Sequence, residues 1–128
     1  MTSKDAFMIS QFAKELVAIR LQQTEDPSTA SAALVRETLA VVLKARPAEA
    51  ERVVADACYG ALQALLLRRS DLARAAALML GEVAELAGPL ALNPADLMRY
   101  ALEGFARLRN LATQDQLIEM LDTVESHF

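Results

Sequence analysis

Four acids are the residues of this chain best placed to do chemistry. Glu82 and Glu85 stand one helical turn apart, and Glu119 and Asp122 repeat that spacing further along. Carboxylates at i and i+3 share a helix face. Two such pairs brought together could hold a hard cation such as Mg²⁺, which takes carboxylate oxygens and retains water. The cation would then orient or activate water for hydrolysis of a nucleotide or another phosphorylated small molecule. A simpler reading needs no ligand, because charged residues normally populate the outward faces of amphipathic helices. That reading takes precedence, so the sequence assigns no catalytic residue, cofactor or metal. Glu82, Glu85, Glu119 and Asp122 are the set that convergence in space would single out.

Other reactive groups are sparse. His127 is the one histidine and is the penultimate residue, a position that usually frays. Cys58 is the one cysteine; within an apolar helix its thiol is expected to be inert. No Gly-rich phosphate loop, His-Glu metal helix or nucleophile elbow occurs. Arg99, Glu103 and Arg107 follow one another at four-residue spacing and read as exposed charge decoration, since such pairs contribute only about 0.3–0.5 kcal/mol.

Paired acids on helices are also the style of the all-α nucleotide pyrophosphohydrolases of the MazG type. Glu82-Val83-Ala84-Glu85 and Glu119-Met120-Leu121-Asp122 resemble that family in bare acid spacing. The interval between the pairs is longer than in the family and its accompanying basic residues are not evident, so membership is not assigned. Asp71, Arg74, Ala77, Leu80 and Gly81 resemble one helix of a HEAT-type repeat, with no second copy recognised.

The elements that must position these residues are set by the chain's punctuation. Apolar, alanine-rich stretches end on basic residues and restart on a cap, a proline or an acid. The breaks are Lys44-Ala45-Arg46-Pro47, Arg68-Arg69-Ser70-Asp71 and Arg109-Asn110 before Thr113, as the helix dipole favours. Six helices are predicted. The first runs from about Lys4 to Gln23, with Ile9, Phe12, Ala13, Leu16 and Ile19 as its buried stripe. The second spans Pro27 to Ala45 and the third Pro47 to Arg69. The fourth runs from Asp71, capped by Ser70, to Ala87, where Gly88-Pro89 ends it. An apolar Leu90-Ala91-Leu92 loop is expected to tuck inward. The fifth opens on Asn93-Pro94, and the sixth on a Thr113–Gln116 capping box, with Leu117, Met120, Leu121 and Val124 facing inward. Gly60, Gly81 and Gly104 are expected where another backbone approaches closely.

With 128 residues the chain suits one domain, residues 1–128, and an all-α compact bundle of five to six short antiparallel-type helices. Its net charge of −4 counts against nucleic acid and anionic membranes. Its longest uncharged helical run is too short to cross a bilayer. A lone thiol and no signal-peptide pattern fit a cytoplasmic location. Hydrophobic residues reach 54%, more than a small bundle ordinarily hides. The expected function is therefore a non-catalytic protein-interaction or self-assembling module, a homo-oligomer with the dimer favoured, presenting apolar faces that include Leu67 and Leu78. The metal-dependent hydrolase is the first alternative. A bundle enclosing an apolar ligand among Met8, Met79, Met98 and Met120 is the second.

Overall fold

A computed structural model describes residues 11–16, 18–19, 26–67 and 71–127, without the side chains of Leu67, Asn110 and His127. The helical residues at 11–16 and 18–19 (α1) precede α2 (Pro27–Ala45). A 3₁₀ turn at Pro47–Glu49 leads into α3 (Ala50–Leu67), followed by α4 (Leu72–Leu90) and α5 (Pro94–Ala106). A second 3₁₀ turn at Arg107–Asn110 precedes α6 (Gln114–His127). The described residues contain no strand, so the fold is the all-α bundle that the apolar periodicity dictates. The ends of the first helix at Lys4 and Gln23, and the break at Arg68-Arg69-Ser70, lie outside the described residues.

Capping chemistry fixes most boundaries where the sequence puts them. The Asp26 carboxylate accepts from the Thr29 N–H at 3.3 Å ahead of Pro27. Asn93 Oδ1 accepts from the Ala95 and Asp96 N–H groups at 2.8 and 3.3 Å. Thr113 and Gln116 complete a reciprocal capping box, at 3.2 and 2.8 Å. Three boundaries differ. The cap of α4 is Asp71, not Ser70: its carboxylate accepts from the Arg74 N–H at 3.0 Å and its backbone is extended, so α4 starts afresh there. The first turn after Pro47 is 3₁₀. Finally, α4 passes through Gly88-Pro89 to Leu90, because a proline in the last turn forgoes only one ladder bond.

That last helix stops on Ala91, held in the left-handed region at φ 55° while its N–H donates to the Ala87 and Gly88 carbonyls. Leu90 and Leu92 on either side pack against the core, as expected, whereas Ala91 itself is exposed. An L-residue pays for this conformation and glycine does not. Ala91→Gly is therefore expected to raise stability by roughly 0.5–1 kcal/mol, measurable as a higher denaturation midpoint with an unchanged m-value.

The helices stack in two layers, with α2, α4 and α6 in one and α3 and α5 in the other. Within a layer, neighbours run parallel. Asp26 meets Arg74, and Arg36 meets Glu82 and Glu85, at sequence separations of 48, 46 and 49 residues. A separation that stays constant along a helix pair requires parallel axes. The same holds for α3 and α5, where Gly104 lies against Ala55 and Arg107 reaches Asp56, 51 residues back. Helices α2 and α3, and α4 and α5, are joined by short connections and pack together as hairpins. The result is a stack of helical hairpins, each laid on the last in the manner of an α-solenoid.

A sequence trace accompanies the stacking. Pro47-Ala48-Glu49 with Arg52 and Asp56 returns as Pro94-Ala95-Asp96 with Arg99 and Glu103. Each arginine pairs with the acid three residues before it, Arg52 with Glu49 at 2.7 Å and Arg99 with Asp96 at 3.5 Å. Helix α4 has its counterpart in α2, which has the same length of 19 residues and the same Asp cap.

The core lies between the layers. Leu39, Leu43, Val53, Val54, Leu62, Leu65, Met79, Leu80 and Leu97 are all 2% exposed or less. Helix α3 is buried nearly all round, with Arg52, Asp56 and Gln63 forming one narrow polar seam. On α1, Ala13 and Leu16 reach the core but Phe12 and Ile19 stay exposed; on α6, Met120 and Val124 are buried while Leu121 is not. These are corrections to the expected stripes. Among the described helices α6 packs against α4 alone, so part of its apolar face stays open.

Candidate functional site

The four acids that opened the sequence reading do not form one centre. Arg36 Nη1 donates to Glu82 Oε2 and to Glu85 Oε2, both at 2.7 Å, tying α2 to α4. Both carboxylates favour the charged guanidinium and push the Arg36 pKa upward. Glu119 and Asp122 are exposed on α6. Among the described residues no three His, Cys, Asp or Glu side chains gather where they could hold a metal ion. Glu82 and Glu85 act here as one half of a cross-helix clamp.

A second clamp closes the other end of the α2–α4 pair. Arg74 Nη1 and Nη2 donate to Asp26 Oδ1 and Oδ2 at 2.6 and 3.1 Å, and the Ser28 hydroxyl donates to the Asp71 carbonyl at 3.3 Å. The Arg74 guanidinium, with help from Thr29, holds the Asp26 carboxyl well below its usual 3.8. A depressed pKa contributes stability that is full above the unfolded value and is lost as pH falls through the folded one. Asp26→Asn keeps the cap but removes the charge. Below about pH 4 the wild type is expected to lose thermal stability more steeply than this variant. Parallel melts across the acid range check it.

Asp56, on the polar seam of α3, lies inside the fold. Its side chain is 5% exposed and pairs with Arg107 Nη1 at 2.5 Å, while its other oxygen, Oδ2, meets no donor among the described residues. Arg107 also stacks over the Tyr59 ring, 5.9 Å from its centroid. Arg107 is therefore the link from α5 to α3, not decoration. Arg99 and Glu103 stay exposed, as expected of the row, and Arg99 pairs with Asp96 and lies over Tyr100 at 5.3 Å. Cys58 is fully buried, and burial pushes its thiol up to about 12, consistent with an inert side chain.

The feature that sequence reasoning missed is a groove between α5 and α6. The two helices are joined by a short turn, yet their Cα atoms stay more than 8 Å apart. The gap is an apolar cleft of about 340 Å³, with Leu102, Phe105 and Ala106 on one wall and Leu117, Met120 and Leu121 on the other. It opens to the surface: Leu102 is 40% and Leu121 54% exposed, with Leu111 and Ile118 nearby in sequence at 50% and 49%. Of the interaction residues expected from sequence, Leu78 is half-buried and packs against the core. The Leu67 side chain lies outside the described residues. No pattern within α5 or α6 signals the groove, because it depends on how far apart the two helices stand. No helix of the described residues is long and apolar enough to cross a membrane.

Comparison with protein-family models, with curated proteins and with solved structures finds no match.

Proposed function

We propose that this protein is a non-catalytic interaction module that receives a helix in the apolar groove between α5 and α6. The observation that carries the reading is the groove's place in the stack. Helix α5 fills the gap alongside α3 and α4, and the next gap, alongside α5 and α6, is lined by the same kind of apolar side chain. Contiguous exposed apolar surface of this kind marks interaction sites, and laying an amphipathic helix into an apolar groove is a recurring recognition mode. Two further features support it over the alternatives. Two of the candidate ligand acids are engaged by Arg36, and the apolar cleft is open at the surface, where a small apolar ligand would remain wetted.

Cys58 is buried and its thiol pKa is about 12, so a cysteine introduced by Leu121→Cys can carry a photoreactive label selectively. Cross-linking in the native cell, read by mass spectrometry, is expected to give a defined protein adduct from Leu121. The same label placed by Ala33→Cys on the exposed side of α2 should give none. Equal yields from the two positions would overturn the reading.

A further inference from the structure

The two sides of the groove differ in charge, and that difference narrows the kind of helix that fits between them. Helix α6 carries Asp115, Glu119, Asp122 and Glu125 and no lysine or arginine. Each of these acids is exposed. On other helices, acids are matched across the fold: Asp26, Asp56, Glu82 and Glu85 each meet an arginine of a neighbouring element. The acids of α6 meet none among the described residues.

Helical spacing makes these acids the rim of the groove. Met120 and Val124 are buried, Leu121 lines the cleft while 54% exposed, and Ile118, one turn before it, continues the apolar strip outward. Glu125 follows Leu121 at i+4 and Ile118 at i+7, so it ends that strip. Asp115, Glu119 and Asp122, at i, i+4 and i+7, form the next row round the helix, on the side away from Val124. The α5 side presents a cation instead. Arg109, in the turn that follows α5, is the charged residue of the groove's lining. It also borders a neighbouring hollow with Tyr59, Glu103 and Arg107, where Arg107 is already held by Asp56. A helix lying in the groove therefore meets carboxylates along one flank and a guanidinium on the other.

Resting on the interaction-module reading above, we infer that the groove's occupant is an amphipathic helix of another protein, its apolar stripe bordered by lysine or arginine on the one flank that lies over Asp122 and Glu125. A one-sided border also fixes the direction of docking. Turning such a helix end for end, apolar face still down, carries its cations from α6 to Arg109, and attraction becomes repulsion. The apolar walls supply burial, while the rim charges supply orientation and speed of encounter.

The test lets the groove choose its helix. A displayed library of peptides of about 18 residues holds Leu or Met at i, i+3, i+4 and i+7 and varies the two bordering columns among Lys, Glu and Gln. It is sorted on the full chain, with Leu121→Glu as the blocked control, or Ile118→Glu should Leu121→Glu alter the circular dichroism. Lys is expected to be enriched in one column only, and Glu in that same column when the sort is repeated on the double variant Asp122→Lys with Glu125→Lys. The new lysines fall near the C-terminus of α6, where the helix dipole favours cations. A selected Lys-bordered peptide should bind the double variant about tenfold more weakly than wild type by fluorescence anisotropy, a gap that narrows as salt is raised. Enrichment over the control without a charge bias, or with the same bias on the double variant, overturns the basic border and leaves the interaction module standing. No enrichment over the control overturns the groove reading and the inference with it. Leu121→Glu is expected to leave the sedimentation mass of the chain unchanged; an assembly that it dissociates assigns the groove to a second copy and overturns the inference.

Discussion

Gly104→Ala is expected to destabilise the protein by about 2–3 kcal/mol, although the same substitution in an exposed helix would stabilise it. Alanine is favoured over glycine in a helix interior by roughly 1 kcal/mol. Here a Cβ would overlap the Ala55 carbonyl oxygen and stand 3.0 Å from the Ala55 C and Cα atoms. Those are backbone atoms in the middle of α3 and cannot turn aside as a side chain can. Relief requires α5 to move off α3, which loosens the packing of Leu97, Ala101 and Phe105, all 3% exposed or less. Overpacking of this kind costs about 1–3 kcal/mol, occasionally more, and outweighs the gain in propensity. Urea titration of the variant against wild type measures the loss. If Gly104→Ala is as stable as wild type, the close approach of α3 and α5 is wrong.

Arg107→Ala should be comparably damaging for a different reason. It strands Asp56, a carboxylate 5% exposed whose second oxygen already meets no donor among the described residues. Removing one partner of a buried pair costs roughly 3–5 kcal/mol. The guanidinium is 45% exposed, so screening reduces the expected loss to about 2–3 kcal/mol. The charge, not the lost packing, is the cause, and a second substitution separates the two. Asp56→Leu in the Arg107→Ala background should recover much of the stability, since an apolar side chain leaves no charge to solvate. A denaturation cycle over the four proteins measures the coupling; additive losses would show that the pair carries no special weight.

Both predictions concern the seam between α3 and α5, and neither could be written with assurance from the sequence. Gly104 is one of three mid-helix glycines that the sequence offers as places of close approach, and periodicity does not say which backbone approaches. Asp56 reads as outward because Glu49, Arg52, Asp56 and Gln63 form one seam on a helical wheel. A wheel has no neighbours on it. Only when α5 lies along that seam does a surface acid become a buried one, and Arg107 change from ornament to counter-ion.

What the sequence determines here is local, and it is extensive. Asp26-Pro27, Asn93-Pro94 and the Thr113–Gln116 box start helices because a side-chain oxygen next to an apolar run satisfies N–H groups that the helix leaves free. The apolar spacing of Val53, Val54, Leu62 and Leu65 makes α3 a buried helix, since no other placement hides its faces. The proline–acid–arginine units at Pro47 and Pro94 even carry the repeat, though its short, degenerate pattern is legible only once the helices are seen to stack. Tertiary structure decided the rest. Whether Glu82 and Glu85 meet a cation or Arg36, whether Leu121 faces the core or solvent, and whether an end of the stack is covered all depend on which helix lies beside which. Such contacts join residues some fifty positions apart, as Asp56 and Arg107 are at 51. Hydrogen bonding and periodicity within one helix carry no information about them.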